Sequence, residues 1–352
     1  MPDNQNQACA TPFRTMIGGQ ALIEGIMMLG PDKKSIVVRR PDGGLEIKTE
    51  QRRLIKDRHP ILGWPFLRGV VNFCTSMYTG VTALMYSAEF YPEDGEEDEE
   101  PSKFEQWLDE KLGSEKAMAF FTTLAVIIGM AFSVGLFFVL PTLLSGAVMY
   151  FFPQVPLWVR NLVEGVVRVV IFLGYLILCS KTKSIHRVFS YHGAEHKTIF
   201  CYEKGLPLTV ENVRAQKRFH PRCGTSFLVL MLLVGIIVSM FIRVDNPFLR
   251  TGLKILTFPV LISIGYELIQ YAGRHDNRLT RIISAPGVAI QHITTREPDD
   301  GMIQCAIESM MRVVPGAEGY AERETLSRAA VDAETGAQTA PSAPAGEPAV
   351  ER

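Results

Sequence analysis

Apolar residues gather along this chain in long uncharged blocks. Ala117–Leu140 holds no charged residue over 24 positions and Thr225–Ile242 none over 18, while Leu253–Tyr266 is apolar except for Lys254. A helix needs about 20 apolar residues to cross a bilayer. The blocks predict an α-helical polytopic membrane protein with about four transmembrane helices, near 117–140, 158–179, 225–243 and 252–272. The N-terminal region has a shorter rhythm. Gln20–Leu29, Ser35–Arg40 and Leu45–Thr49 read as strands, and Pro41-Asp42-Gly43-Gly44 is a hairpin turn between the last two. Residues 16–58 are thus expected to form a small β-rich cytosolic domain. Gly18-Gly19 and Gly25 mark tight turns or close backbone approach within it.

Segment 59–91 is ambiguous by pattern alone, because Gly69–Ala88 is uncharged and long enough to span. Charge placement argues otherwise. Residues 180–225 carry nine Lys/Arg against three Glu, which places them in the cytoplasm, and the N-terminal region is basic as well. Both lie inside only if an even number of spans separates them, and 117–140 and 158–179 already supply two. Segment 59–91 is therefore expected to form interfacial or re-entrant helices, bent at Gly63, Pro65 and Gly69. Four spans (117–272) around the cytoplasmic loop 180–225 leave both termini cytoplasmic, with a compact cytosolic segment at 273–314.

The formal charge of −1 conceals strong segregation. Residues 93–100, EDGEEDEE, carry seven acids within a linker at 92–116 and argue against a nucleic-acid partner. Residues 1–15 and 315–352 are expected to be disordered tails by composition. The first 16 residues are polar and lack the apolar core of a signal peptide. Six scattered cysteines without a CxxC pair argue against a disulfide framework.

Within the basic loop lies His192-Gly193-Ala194-Glu195-His196, the order H-x-x-E-H. On a helix His192 and His196 share one face, where two imidazoles can bind one metal ion. Glu195, one step round, is placed to act as a general base. His220-Pro221-Arg222-Cys223 supplies a further His and Cys just before the third block. Two outcomes stay open: three ligands with Glu195 make a catalytic zinc site, whereas His192, His196, His220 and Cys223 together make a closed structural one. Zinc or another divalent metal is the implied cofactor. Gly193 costs the helix about 1 kcal/mol relative to Ala. His275 and Asp276 are candidate partners behind the metal ligands.

A second polar set lies within the predicted spans. Arg160, Glu164 and Arg168 are spaced four and four, on one helical face, with Arg168 near mid-span; Glu267 in the fourth block is a candidate partner. The set reads either as a pocket for an anionic group or as an ion triad that locks helix packing. Glu24 is the lone acid of an apolar stretch and reads as a surface residue before a site carboxylate. Asp299 or Asp300 suits the N-cap of a helix starting near Met302.

Five separated motifs carry a resemblance: GGQALIEGIMMLGP (18–31), PFLRGV (65–70), FSYHGAEHKTI (189–199), HPRCGTSF (220–227) and TTREPDD (294–300). In this order they resemble the bacterial YqhQ-like family, membrane proteins of unknown function described as predicted metal-dependent enzymes. The likeness covers roughly residues 16–310 and omits the acidic run and the C-terminal tail. It implies a multi-pass protein of the bacterial inner (plasma) membrane. Three functions are compatible with these residues: a membrane-embedded metal-dependent hydrolase, a non-catalytic scaffold or assembly factor with a structural metal, and a carrier using Arg160, Glu164 and Arg168. Expected partners are the lipid bilayer, other membrane proteins and further copies of the chain.

Overall fold

The computed structural model describes residues 15, 17–52, 59–91, 114–244, 246–275 and 277–314. The expected tails other than Thr15, the acidic run 93–100 and Asp276 lie outside the described residues. The N-terminal strands form a four-stranded antiparallel meander: β1 Gly18–Leu22, β2 Gly25–Leu29, β3 Lys33–Arg39 and β4 Leu45–Gln51. The run expected as one strand, Gln20–Leu29, is two. Leu22 pairs with Gly25 across a turn in which Glu24 takes a positive φ of 47°. Gly25 is required there, since a Cβ would lie 2.5 Å from the Val37 carbonyl oxygen.

Apolar continuity hid this turn, because β2 is buried on both faces. Ile26 and Met28 point into a core shared with Tyr191, Ala194, Ile303 and Met310. Met27, on the other face, packs with Leu22, Ile36 and Val38 against Ala83, Tyr86 and Phe90. The second layer comes from α1, Leu67–Ala88, one uninterrupted helix that follows a short 3-10 turn at Pro60–Gly63. Burying both faces removes the alternation from which a strand is ordinarily read.

The apolar blocks form helices. Helix α2, Ser114–Val134, continues through a π-helical turn, Gly135–Val139, into α3, Leu140–Tyr150. Thr123–Tyr150 and α4, Leu157–Cys179, are long and apolar enough to cross a membrane. Helices α8, Pro247–Leu256, and α9, Phe258–Arg274, would make a third span if taken together, bent by 41°. A fourth span is not shown. Its candidate, α7 at Gly224–Ser239, has 16 residues, about 24 Å of helix against the ~30 Å of a hydrocarbon core.

The remaining helices are α5, Lys183–Glu203; α6, Val210–Arg214; α10, Arg278–Thr294; and α11, Asp300–Val313. Asp299 caps α11 by accepting from the Met302 N–H at 2.8 Å. Helices α5 and α11 pack on one face of the sheet, so the H-x-x-E-H residues sit beneath β1 rather than in an open loop.

Candidate metal centre

Helix α5 places His192 and His196 one turn apart, with ring centroids 4.4 Å from one another. Backbone carbonyls orient both rings. His192 Nδ1 lies 2.8 Å from the Thr294 carbonyl oxygen, and His196 Nδ1 bonds the Arg218 carbonyl. A carbonyl only accepts, so each Nδ1 carries the proton and each Nε2 carries the free lone pair. Metal-binding histidines are oriented in this way. His196 Nε2 is buried and, among the described residues, has no well-directed hydrogen-bond partner; it faces the Cys223 sulfur.

Cys223 completes the group. It stands at the N-cap of α7, its sulfur accepting from the Thr225 N–H at 3.4 Å and lying 3.0 Å from His192 Nε2. One ligand atom from each of His192, His196 and Cys223 falls within 4.8 Å of the other two. Burial alone would push the thiol up, but His196 and the hydrogen bonds from Thr225 hold it below its ordinary range. Burial also keeps His196 below the usual imidazole range, although the Cys223 thiol pulls it up. Two imidazoles that turn Nε2 toward one point and a thiol held below its ordinary range form a donor set suited to a divalent metal, and their convergence fits one.

Glu195 is buried beside them, and its Oε2 has no hydrogen-bond partner. Burial pushes its carboxyl up to about 7, against the pull of His192 and of the Gly19 N–H. Gly19 of β1 permits this fit, because a Cβ there would come within 2.8 Å of the Glu195 carboxyl carbon. Gly193 has an equivalent reason. A Cβ at that position would lie 2.0 Å from the Arg296 carbonyl oxygen, where segment 294–298 crosses α5. Arg296 N–H bonds the Phe189 carbonyl at 2.9 Å, and Glu297 pairs with Lys197 and Arg218. The glycine that weakens the helix thus admits the strap whose Thr294 orients His192.

The other expected site residues go elsewhere. His220 stands beside the triad, 5.6 Å from His196 between ring centroids, but its Nε2 is 3.8 Å from Glu203 and its Nδ1 accepts from the Arg222 N–H. Arg222 also binds Glu203 and, at 3.0 Å, the Thr15 carbonyl. His275 stacks on Tyr271, bonds that residue's carbonyl and is not part of the triad, though it lines one cavity with His220 and Glu203. Glu24 ties the β1–β2 turn to α5 through Arg187 and the Tyr191 hydroxyl. Thr294 and Arg218, acting through backbone oxygens, were not visible as partners, since backbone atoms leave no residue-type signal.

The intramembrane set is rearranged. Glu164 and Arg168 do pair, at 3.1 Å, but Arg160 runs against Gly146 and Glu267 pairs with Arg68, 2.7 Å from its Nε. In their place Thr142 and Lys254 donate to Glu164 Oε1 at 2.9 and 2.6 Å, and Arg250 approaches Oε2 at 3.6 Å. Arg168 Nε donates to the Phe137 carbonyl at 2.7 Å. That oxygen belongs to the π-helical turn, where the shifted ladder exposes backbone groups.

This helical chain, with its candidate spans and a His/His/Cys group beneath an N-terminal sheet, belongs to the family described as "Protein of unknown function (DUF1385)", whose sequence pattern matches residues 64–315. The matched range holds the whole triad and Glu195 but not the sheet that supplies Gly19. The chain is similar to the "Uncharacterized protein YqhQ" of Bacillus subtilis (strain 168), 33% identical over 295 residues that cover 83% of this chain and 90% of the relative. No solved structure matches.

Proposed function

We propose that this protein is a membrane-embedded metal-dependent hydrolase whose ligands are His192 Nε2, His196 Nε2 and Cys223 Sγ. The observation that carries the reading is the convergence of these three atoms within 4.8 Å. Two imidazoles and a thiolate suit zinc. A divalent ion held there would supply a Lewis acid and acidify a water. Three protein ligands leave a coordination position open, as catalytic sites require. A closed four-ligand site would need His220, which is engaged by Glu203 and the Arg222 N–H.

Glu195 takes the part of general base, accepting the water's proton at the unpartnered Oε2. The Gly19 N–H holds the carboxylate in place. The nine basic residues of 180–225 support a position at the cytoplasmic face of the membrane.

Elemental analysis of the purified full chain tests the ligand set. One equivalent of zinc is expected, lost in His192→Ala, His196→Ala and Cys223→Ser but kept in His220→Ala and Glu195→Gln. Replacing zinc with cobalt tests the open position: the visible spectrum should change on adding azide. Loss of metal in His220→Ala, with an azide-insensitive spectrum, would establish a structural clip instead.

A further inference from the structure

The Glu164 cluster borders a cavity of about 230 Å³ between α1, the π-helical turn, α4, α7, α8 and α9. Six phenylalanines line it: Phe73, Phe137, Phe138, Phe172, Phe227 and Phe258. Among the described residues, Arg168 and Lys254 are the only charged side chains in its wall. Both are buried, and both donate to the same carboxylate oxygen, Glu164 Oε1. Among the described residues, Glu164 is the one acidic side chain paired with either. Two cations against one carboxylate leave this wall with an excess positive charge in an apolar setting, where an uncompensated charge is costly.

We propose that the cavity binds an anionic phospholipid, its phosphate on Arg168 and Lys254 and the start of an acyl chain among the phenylalanines. The Arg168 guanidinium, held in place by the Phe137 carbonyl and Glu164, and the point-like Lys254 ammonium together present positive charge suited to a phosphodiester. A net negative head group cancels the excess charge, whereas a zwitterionic one brings its own cation into the site. The cavity lies between candidate membrane-spanning helices, which a lipid reaches laterally from the bilayer. Neither the metal triad nor Glu195 lines this cavity, so the assignment is independent of the proposed hydrolase.

Native mass spectrometry of the full chain in neutral detergent tests the assignment. The probes are phosphatidylglycerol, phosphatidylcholine of the same acyl composition, oleate and inorganic phosphate. One phosphatidylglycerol should be retained, with at least about tenfold preference over phosphatidylcholine, and neither oleate nor phosphate should displace it. Lys254→Met should weaken retention about tenfold or more, and Lys254→Arg should restore it. Gly235→Leu keeps both cations but fills the cavity, where a Cβ meets only Leu261 at an ordinary 3.5 Å. It too should lose the lipid. Equal retention of the two phospholipids, displacement by oleate, or unchanged binding in both Lys254→Met and Gly235→Leu would each overturn the proposal.

Discussion

The metal centre and the Glu164 cluster are both buried polar groups built around a glutamate, and each lacks what the other has in excess. Around Glu195 the surplus is in lone pairs: two imidazole nitrogens and a thiol sulfur converge, and beside them a buried carboxylate oxygen has no hydrogen-bond partner among the described residues. Around Glu164 the surplus is in donors, with Arg168 and Lys254 sharing one carboxylate oxygen. A buried deficit of either kind is costly until something fills it. The sign of the deficit therefore matches the sign of each proposed ligand: a cation under the sheet, an anion between the candidate spans.

The contrast is broken most forcefully at Glu164. Glu164→Gln removes the shared counter-charge of Arg168 and Lys254, and should destabilise the protein by about 3–5 kcal/mol. Lys254→Met should cost far less, because Glu164 then keeps Arg168 and Arg250. Thermal unfolding in detergent measures both variants. Equal losses would mean that the cluster is a balanced network with no excess of cations.

At the metal centre the sharper probe is a glycine rather than a ligand. Gly193→Ala puts a methyl group where the Arg296 carbonyl oxygen would lie 2.0 Å away, and the strap must move. The expected cost is about 1–3 kcal/mol. Zinc occupancy should fall with it, since the displaced strap carries the Thr294 oxygen that orients His192. Gly129→Ala in α2 is the control, because nothing lies within 4 Å of a Cβ there. It should be neutral or slightly stabilising. Full zinc occupancy in Gly193→Ala would separate the strap from the centre.

What could be read from the residues followed the range of the interaction. The pairing of His192 with His196 and of Glu164 with Arg168 is set by helical spacing, so both were legible as local patterns. Cys223 was legible as a candidate but could not be separated from His220, since that choice depends on Glu203 and Arg222, which meet at the far end of α5. Glu267 found Arg68, 199 residues away, and no spacing rule reaches that far. Lys254 stood out as the sole charge in an apolar stretch, yet nothing local named Glu164 as its partner. Gly193 was misleading in an instructive way. It reads as a helix defect when only α5 is considered and as a requirement once the strap is in place.

The smallest effect comes from acid, at the group beside the centre. Burial holds His220 below its ordinary value of 6.5, although Glu203 pulls it up. Burial would raise Glu203, but hydrogen bonds from His220, the Thr15 N–H and Arg222 bring it below its ordinary 4.5. Both groups bind protons more readily when the chain is unfolded, so each contributes stability that grows with pH. The His220 contribution is complete above pH 6.5 and fades as pH falls through its folded value; the Glu203 contribution is complete above pH 4.5 and fades below it. Metal binding adds its own pH dependence, so the measurement belongs on chelator-treated protein. The melting-temperature lead of wild type over His220→Gln should shrink as pH drops below 6.5, and its lead over Glu203→Gln should shrink as pH drops below 4.5. Because Glu195, raised to about 7, stabilises the fold in the opposite direction over the same window, the comparison with the variant decides: a lead of wild type over His220→Gln that grows as pH falls from 7.5 to 5 would mean that His220 is charged in the fold, which would undo the account of why it stands apart from the metal ligands.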